Sequence, residues 1–556
     1  MNYIRLKDHN YTDFNNDLRY DIQQEQSISE FSKRNYNNAF LMRIYHYYVS
    51  KGFNNIIIKQ ITNLLNTIFL VLFTLFLFNC IDYHSIMTMK TKSHLSEFII
   101  WDNFFKKMSF FSIMCFLILI GFSITKIIKL LTSWKNYKII QEYYNITLKI
   151  SDRELPLIEW NNVVDKLMLQ TSESLINSYT IANQIMRKEN YIIALISNKI
   201  INVNFFTKLI EVSFIYCIVD HFFDENHNLK RDIFNSINKY HLVEHIKRRL
   251  KIMSFLYAIF MPFMFIFFIF QSIFRYGEKF YKKPELIGLR VWNITSRWIF
   301  REYNELEHIF KSRLINSKKY AKRYVDQFYS KILDTISKFV IFIFSAFLIV
   351  LIFTSLLNET ILLKLYISNN QNVLWYIGIL GTSITIFKTF ILKHSVHSPN
   401  ECMKSIIKEV KYLPSSWIEN AHKYYIKDEF IKYYPYQIYL ILKECVSIIS
   451  IPYILWKYCD DVENVVNFIT NNTVYNENLG FLCKYAVFEE NIKNIEPENV
   501  SYNRLLDNKL QQSFISFKNN NPEQNYNIPM NMAQIDKESC VSSYDDLDSP
   551  ELILDI

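Results

Sequence analysis

The chain has 556 residues and a formal net charge of +9, and 50% of its residues are hydrophobic. Only 7 residues are glycine, and none stands in the spacing of a Rossmann fingerprint or a P-loop, which excludes nucleotide chemistry in a glycine-rich cradle. The apolar residues are gathered into long blocks, which indicates a membrane protein rather than a soluble domain.

The chain opens with a polar stretch, residues 1–40, which predicts a mostly disordered cytosolic tail. An uncharged block follows at 60–81, and it is long enough to cross a bilayer, since a spanning helix needs about 17–25 residues. Because more than 50 residues precede it, this block is a membrane span and not a cleaved signal peptide. A second span is predicted at 108–125.

The third apolar block, 252–274, has basic residues on both sides, with 18 Lys and Arg in 126–251 and 15 in 275–338. Cytosolic flanks hold the excess of positive charge, so a simple span would not be basic at both ends. Pro262 lies at the centre of the block and is expected to bend a helix. These features predict a re-entrant segment hinged at Pro262. The alternative is an ordinary kinked span.

Two more spans are predicted at 339–358 and 373–391. The block Cys445–Trp456 is too short to cross a bilayer and contains Pro452, which predicts a second re-entrant helix, or an interfacial one, at about 440–456 hinged at that proline. The predicted fold is therefore an all-α membrane protein with four transmembrane helices, two re-entrant helices and large cytosolic helical regions. Both termini are expected in the cytosol.

The C-terminal segment 491–556 contains 5 basic and 11 acidic residues and is rich in Asn, Gln and Ser. Such a composition predicts a disordered acidic tail in the cytosol. The remaining core, 41–490, is strongly basic, which suits the anionic cytosolic leaflet of a membrane.

Two groups of residues have the form of metal ligands. His241 and His245 lie in an H-x-x-E-H pattern, and His394, His397 and Cys402 form a looser cluster. Both groups lie beside predicted membrane segments, and no paired cysteine motif accompanies them. An interfacial helix is the favoured interpretation of the first group, and no metal, cofactor or catalytic residue is predicted.

The cores of the four predicted spans contain no Asp, Glu, Lys or Arg, which argues against an ion-coupled transporter. No ring of charge is present to support an ion channel either. The spans do contain uncharged polar residues: Asn63, Asn66, Thr67, Thr382, Ser383 and Thr385. Such residues either bond to neighbouring helices or line a wetted path, and the sequence leaves both interpretations open.

Several blocks of the core resemble one known family. Arg43–Tyr48 precedes the first span, the block 276–314 contains Lys283-Pro284 and Gly288-Leu289-Arg290, and Tyr412-Leu413-Pro414 stands before Trp417. The most specific match is the run Asn304, Glu305, Leu306, Glu307 and His308. Over residues 41–490 the chain resembles the autophagy-related protein 9 family.

This resemblance implies a domain-swapped homotrimer that scrambles phospholipids during autophagosome formation without ATP and performs no covalent chemistry. The implied partners are the phospholipid bilayer, further copies of the chain, a bridge-like lipid-transfer protein and the autophagy initiation complex, but no nucleic acid. The implied location is on Golgi- or endosome-derived cytoplasmic vesicles and the phagophore membrane. The alternative function is a membrane scaffold that recruits autophagy factors without transporting lipid as its main role.

The resemblance also implies a lipid path at Tyr281, Lys282, Lys283, Arg290, Ser383 and Thr385. At the first three of these positions, an aromatic and two basic residues replace the family's basic-basic-acidic set. In the tails, Tyr544 and Leu547 have the spacing of ligands for ubiquitin-like autophagy modifiers. Tyr3–Leu6 and Tyr11–Phe14 have the form of tyrosine-based signals for clathrin adaptors.

Overall fold

The computed structural model describes residues 38–88, 95–100, 110–170, 177–282, 289–328, 331–357, 365–368, 371–388, 391, 398–414, 416–476, 479–488, 509–521 and 532–533. The N-terminal tail before residue 38 and its tyrosine motifs, together with Lys283, His394, His397, Tyr544 and Leu547, lie outside these residues.

The described part of the chain is mostly helical, as predicted. Its helices are α1 (Asn38–Ser50), α2 (Phe53–Asn79), α3 (Tyr83–Thr88), α4 (Phe110–Glu142), α5 (Trp160–Gln170), α6 (Ser178–Ile185), α7 (Arg187–Ser197), α8 (Lys208–Cys217), α9 (Ser236–Lys282), α10 (Ile294–Phe300), α11 (Glu307–Asp326), α12 (Lys331–Leu357), α13 (Val373–Lys388), α14 (Pro399–Val410), α15 (Ser416–Glu419), α16 (Tyr424–Tyr433), α17 (Gln437–Asn471) and α18 (Lys509–Asn520).

Two small antiparallel sheets depart from the all-α prediction. The first pairs β1 (Tyr366–Ser368) with β2 (Gln371–Asn372). The second has the strand order β4-β3-β5, from β3 (Thr473–Asn476), β4 (Gly480–Cys483) and β5 (Met532–Ala533).

Each of the six apolar segments predicted from the sequence overlaps a helix. Among the described residues, four helices are long and apolar enough to cross a membrane: α2, the part of α9 from Ile237 to Gly277, α12 and α17. The predicted span at 108–125 coincides with the start of α4, and that at 373–391 with the shorter helix α13. Most large apolar side chains of α2 and α12 are exposed or half-buried, as the surface of a membrane protein requires.

The two prolines predicted as re-entrant hinges do not reverse the chain. Helix α9 runs unbroken from Ser236 to Lys282 through Pro262, and α17 runs from Gln437 to Asn471 through Pro452. A proline removes one backbone donor, but the helical hydrogen bonds on either side of it persist. A proline inside a long, well-packed helix is tolerated, so neither segment turns back on itself at its proline, and re-entry of 252–274 and 440–456 into the membrane stays a prediction.

Helices α9 and α17 pack along each other, and this pairing positions both prolines. The hydroxyl of Ser254 on α9 donates to the carbonyl of Pro452 on α17 at 2.6 Å. Ile451 is fully buried beside it. The two helices continue from their apolar halves into the hydrophobic core of the body.

The three largest hydrophobic cores of the described residues lie mostly outside the predicted membrane segments. Core A joins α7 and α8 to the polar halves of α9 and α17. Core B joins α1 to the end of α4 and to α5 and α6. Core C joins α11, α14 and α16. The largest fully buried side chains are Tyr191, Phe214 and Phe222 in core A, Tyr47 and Tyr144 in core B, and Phe300, Tyr324 and Phe430 in core C.

The corner between α1 and α2 depends on a glycine. Gly52 has φ +104°, a conformation that side chains disfavour, and a Cβ atom there would lie 3.1 Å from the Cγ of Asp152. The carboxylate of Asp152 accepts hydrogen bonds from Tyr47 and Gln141. This corner sets the direction in which α2 leaves core B.

The predicted disorder of residues 491–556 is wrong for at least one segment. Residues 509–520 form α18, whose Phe514 and Phe517 are buried against the body. The average composition of the tail conceals an amphipathic pattern, because Ser513, Phe514, Ser516 and Phe517 share one helical face.

The α9–α17 interface supplies a matched pair of substitutions. Ile451→Ala should lower the free energy of unfolding by about 2–5 kcal/mol, because it leaves a cavity in core A. Ile449 lies two residues away and is 53% exposed, so Ile449→Ala should cost under about 0.5 kcal/mol. Denaturant titration in detergent micelles measures both values, and equal losses would contradict the burial described.

Candidate functional site

The segment that carries the Asn-Glu-Leu-Glu-His run connects α10 to α11 and belongs to all three cores. Tyr303 packs in core A, Leu306 in core B and Phe310 in core C. Its polar side chains are buried as well, and Asn304 and Glu305 are only 1% and 6% exposed. Buried polar groups on this scale need partners, because each unpaired one is costly.

Asn304 ties the segment to core A. Its backbone has φ +58°, a left-handed conformation that Asn tolerates better than most residues. Its N–H donates to the side-chain oxygen of Asn190 at 3.0 Å, and the Asn190 amide donates back to the Asn304 side chain at 2.8 Å. The Asn304 amide also donates to the carbonyl of Ala486 at 2.8 Å.

Glu305 forms the central ion pair of the segment. Arg313 on α11 donates to its two carboxylate oxygens at 2.9 and 2.7 Å, in a bidentate arrangement. The same guanidinium donates to the carbonyls of Phe300, Glu409 and Val410 at 2.7–3.0 Å. Arg313 therefore connects α10 and the end of α14 to the motif segment.

Glu302 forms a second buried acidic centre beside the first. Lys411 lies 3.1 Å from its Oε1 atom, and Tyr412 and Ser516 each donate to that atom at 3.0 Å. Burial by itself would raise the pKa of Glu302, but Arg313 and Lys411 hold it below its usual value. Glu302 is therefore ionised at neutral pH, although it is 3% exposed.

The last two residues of the motif begin α11. Glu307 forms ion pairs with Arg301 at 3.1 Å and with Lys311 at 3.6 Å. The Nδ1 atom of His308 lies 3.0 Å from the hydroxyl of Tyr45, and its ring packs against Tyr48 and Trp160. Burial lowers the pKa of His308 to about 4, so the ring is neutral at pH 7.

The motif therefore works as a structural junction, with its charges neutralised by one another. Among the described residues, no group of three or more His, Cys, Asp or Glu side chains is arranged to hold a metal. His241 is exposed on α9, and the ring of His245 stacks on that of His221 at 4.9 Å. Cys402 is buried in core C and accepts a hydrogen bond from Gln327.

Comparison with known proteins identifies the family. The family described as "Autophagy protein ATG9" matches residues 34–489. The chain belongs to the ATG9 family.

Individual relatives agree with this assignment. Autophagy-related protein 9 of Candida glabrata is 31% identical over 490 residues, covering 84% of this chain and 52% of that protein. The Dictyostelium discoideum protein of the same name is 31% identical over 550 residues, covering 94% and 78%. The cryo-EM structure of Schizosaccharomyces pombe Atg9 superposes with a TM-score of 0.61 at 28% identity, covering 81% of this chain and 98% of the other.

The chain spans about half the length of several yeast relatives that it matches. It covers 52% of the Candida glabrata protein and 48% of the Saccharomyces cerevisiae one.

The expected lipid-path residues of this ATG9-family chain fall in two places. Tyr281 and Lys282 are the last two residues of α9. Arg290 lies near the start of α17, where its guanidinium stacks on the ring of Tyr436 at 3.6 Å and donates to the carbonyl of Tyr434 at 3.3 Å.

Ser383 and Thr385 lie on α13, which packs along α12 with Phe344 and Phe387 in contact. The Thr385 hydroxyl donates to the carbonyl of Gly381 at 2.8 Å, and Thr382 does the same to Gly378 at 3.0 Å. These hydroxyls satisfy their donors within the helix, so α13 can carry them inside a membrane at little cost.

Sequence reasoning missed the partners of the motif: Asn190, Arg313, Lys411 and Ser516. A basic residue is normally expected on the surface. The one signal in the sequence that Arg313 is buried is its place on the apolar face of α11. It lies among Phe310, Leu314 and Ser317 on the face of α11 that enters core C.

Loss of Arg313 should be severe. Arg313→Ala would leave Glu305 and Glu302 buried without their main counter-charge, and we expect a loss of about 3–5 kcal/mol in the free energy of unfolding. Lys338 is the control, because it forms an exposed ion pair with Asp334. Lys338→Ala should cost under about 1 kcal/mol. Denaturant titration in micelles distinguishes the two, and a mild Arg313→Ala effect would count against the junction.

The neutral state of His308 predicts a pH dependence. Its pKa is about 4 in the folded chain against 6.5 when unfolded, so the unfolded chain binds the extra proton first and stability falls as pH drops from 6.5 toward 4. His308→Gln should reduce this fall, whereas His241→Gln at an exposed site should not. Thermal unfolding at several pH values provides the measurement, and parallel curves for wild type and His308→Gln would refute the assignment.

Proposed function

We propose that this ATG9-family chain is a phospholipid scramblase that moves lipids between leaflets without ATP and supports growth of the phagophore membrane. In this proposal it acts as a homotrimer on Golgi- or endosome-derived vesicles, with both termini in the cytosol. A bridge-like lipid-transfer protein would supply lipid to one leaflet, and the autophagy initiation complex would recruit the vesicles.

The observation that supports lipid movement best is a pair of exposed amides in a membrane helix. Asn66 lies at the midpoint of α2, the 27-residue helix Phe53–Asn79, and Asn63 lies one turn before it. Both side chains are exposed in the single chain. An amide facing hydrocarbon is costly, so these groups call for a polar surface, either a wetted groove or another copy of the chain.

The mechanism needs no chemical energy. A phospholipid head group crosses hydrocarbon slowly because it must lose its hydration, whereas a groove lined by hydroxyl and amide groups replaces part of that hydration. Lysines at the groove entrance, such as Lys282, would attract the phosphate. The lipid tails stay in the bilayer, and the lipid moves down its own imbalance between leaflets.

The test is a scrambling assay on the purified full chain in liposomes with fluorescent lipid. External quencher should reach inner-leaflet lipid without nucleotide, and Ser383→Leu combined with Thr385→Leu should slow that step several-fold by removing two hydroxyls of α13. Thr354→Leu places the same change on the adjacent helix α12 and should leave the rate unaltered.

Two outcomes would redirect the proposal. Quenching at the protein-free level for wild type would rule out scrambling. If the α13 variant lost scrambling but fully supported autophagosome formation in cells, the scaffold function would be favoured.

A further inference from the structure

The C-terminal helix α18 sits in an aromatic groove on the body. Phe514 and Phe517 pack against Phe488 at ring distances of 5.3 and 6.2 Å, and Phe517 also meets Tyr179 at 5.9 Å. Tyr179 and Phe488 are in contact with each other at 5.5 Å. The body thus contributes two aromatic rings to this cluster, and α18 contributes the other two.

Polar contacts fix the helix along its whole length. The hydroxyl of Ser513 accepts from the N–H of Tyr303 at 3.1 Å, and Ser516 donates to Glu302 and accepts from Lys411. At the end of the helix, Asn161 donates to the carbonyl of Asn520 at 3.2 Å, and Ser178 donates to the side chain of Asn521 at 3.0 Å. Through Ser516, α18 contacts the buried ion pair of Glu302 and Lys411 directly.

Helix α18 is separate from the rest of the body along the chain. Twenty residues, 489–508, lie between Phe488 and its first residue. A 12-residue helix is marginal in water on its own, so α18 depends on the groove for its structure. A segment of this kind orders when it docks and disorders when it leaves.

We propose that this groove is a receptor for an amphipathic helix with a Ser-Phe-x-Ser-Phe face, that α18 occupies it reversibly, and that phosphorylation of Ser516 releases it. A protein kinase would transfer the γ-phosphoryl group of ATP to Ser516 Oγ, which loses its proton as ADP departs. Ser516 is 7% exposed when docked, so the kinase acts on the released helix and prevents its return.

The negative charge of Glu302 makes the groove favour the helix with unmodified Ser516 over the helix with phosphorylated Ser516. The Ser516 hydroxyl is a donor to that carboxylate at 3.0 Å, and a phosphate ester has no such donor to offer. It would place a second anion against a buried carboxylate whose counter-charges, Arg313 and Lys411, are already engaged. Like charges in a buried site repel strongly.

Hydrogen exchange on the full chain in micelles tests the release. Amides of α18 should exchange about tenfold faster or more in Ser516→Asp than in wild type. Ser516→Ala should raise exchange clearly less than Ser516→Asp, because it loses the hydrogen bonds to Glu302 and Lys411 without adding a charge. Asn519→Asp should stay near wild type, because it adds the same charge at an exposed position of the same helix. Unchanged exchange in α7 and α10 shows that the body is intact.

Equal exchange in Ser516→Asp and Asn519→Asp would overturn the proposal. So would an increase in Ser516→Ala as large as that in Ser516→Asp, because the charge would then be irrelevant.

A labelled peptide of residues 509–521 tests the receptor in trans. It should bind the Ser516→Asp full chain, whose groove is vacated, and bind wild type at least about tenfold more weakly, because α18 competes at high effective concentration. The same peptide carrying phosphoserine at 516 should not bind. Failure of the unmodified peptide to bind Ser516→Asp would disprove a helix receptor. Neither assay measures lipid movement, so the result is independent of scrambling.

Discussion

The bidentate ion pair between Arg313 and Glu305 holds the body of this protein together. Arg313 is buried, and its donors reach α10, the motif segment and the end of α14. A guanidinium offers five donors in a rigid fork, so one side chain can satisfy several orphaned carbonyls at once. The neighbouring carboxylates raise the pKa of Arg313, despite the opposing effect of burial. Its charge is thus permanent, and the surrounding structure has to accommodate it.

This junction also determines how the membrane helices leave the body. The motif segment touches core A, which contains the inner ends of α9 and α17, and core B, from which α2 and α4 emerge. Helix α11 begins at the motif and is followed by α12. A buried, charge-compensated segment is rigid because displacing any member leaves another unpaired. Any movement of lipid between the membrane helices would therefore leave the motif segment and the cores around it in place.

The apolar helices were predictable because their signal is local. Block length and the absence of charge located all six segments, although α12 begins at Lys331, before the predicted span 339–358. The local rule for proline predicted a hinge at Pro262 and Pro452, and the helices continue through both residues. Packing between α9 and α17, with Ile451 buried and Ser254 bonded to the Pro452 carbonyl, outweighs the single lost donor.

The sequence by itself determined the membrane class, the positions of the apolar helices and the family, because these depend on patterns within short stretches. It also singled out the run Asn304–His308, but as a motif without a physical role. Tertiary structure alone decided that Glu302 and Glu305 are paired inside the body, that Arg313 is their partner, and that α18 docks on the same network. Lys411 and Ser516 reach Glu302 from more than a hundred residues away along the chain. Arg313 is only eight residues from Glu305, but composition averaged along the chain cannot show which charges meet.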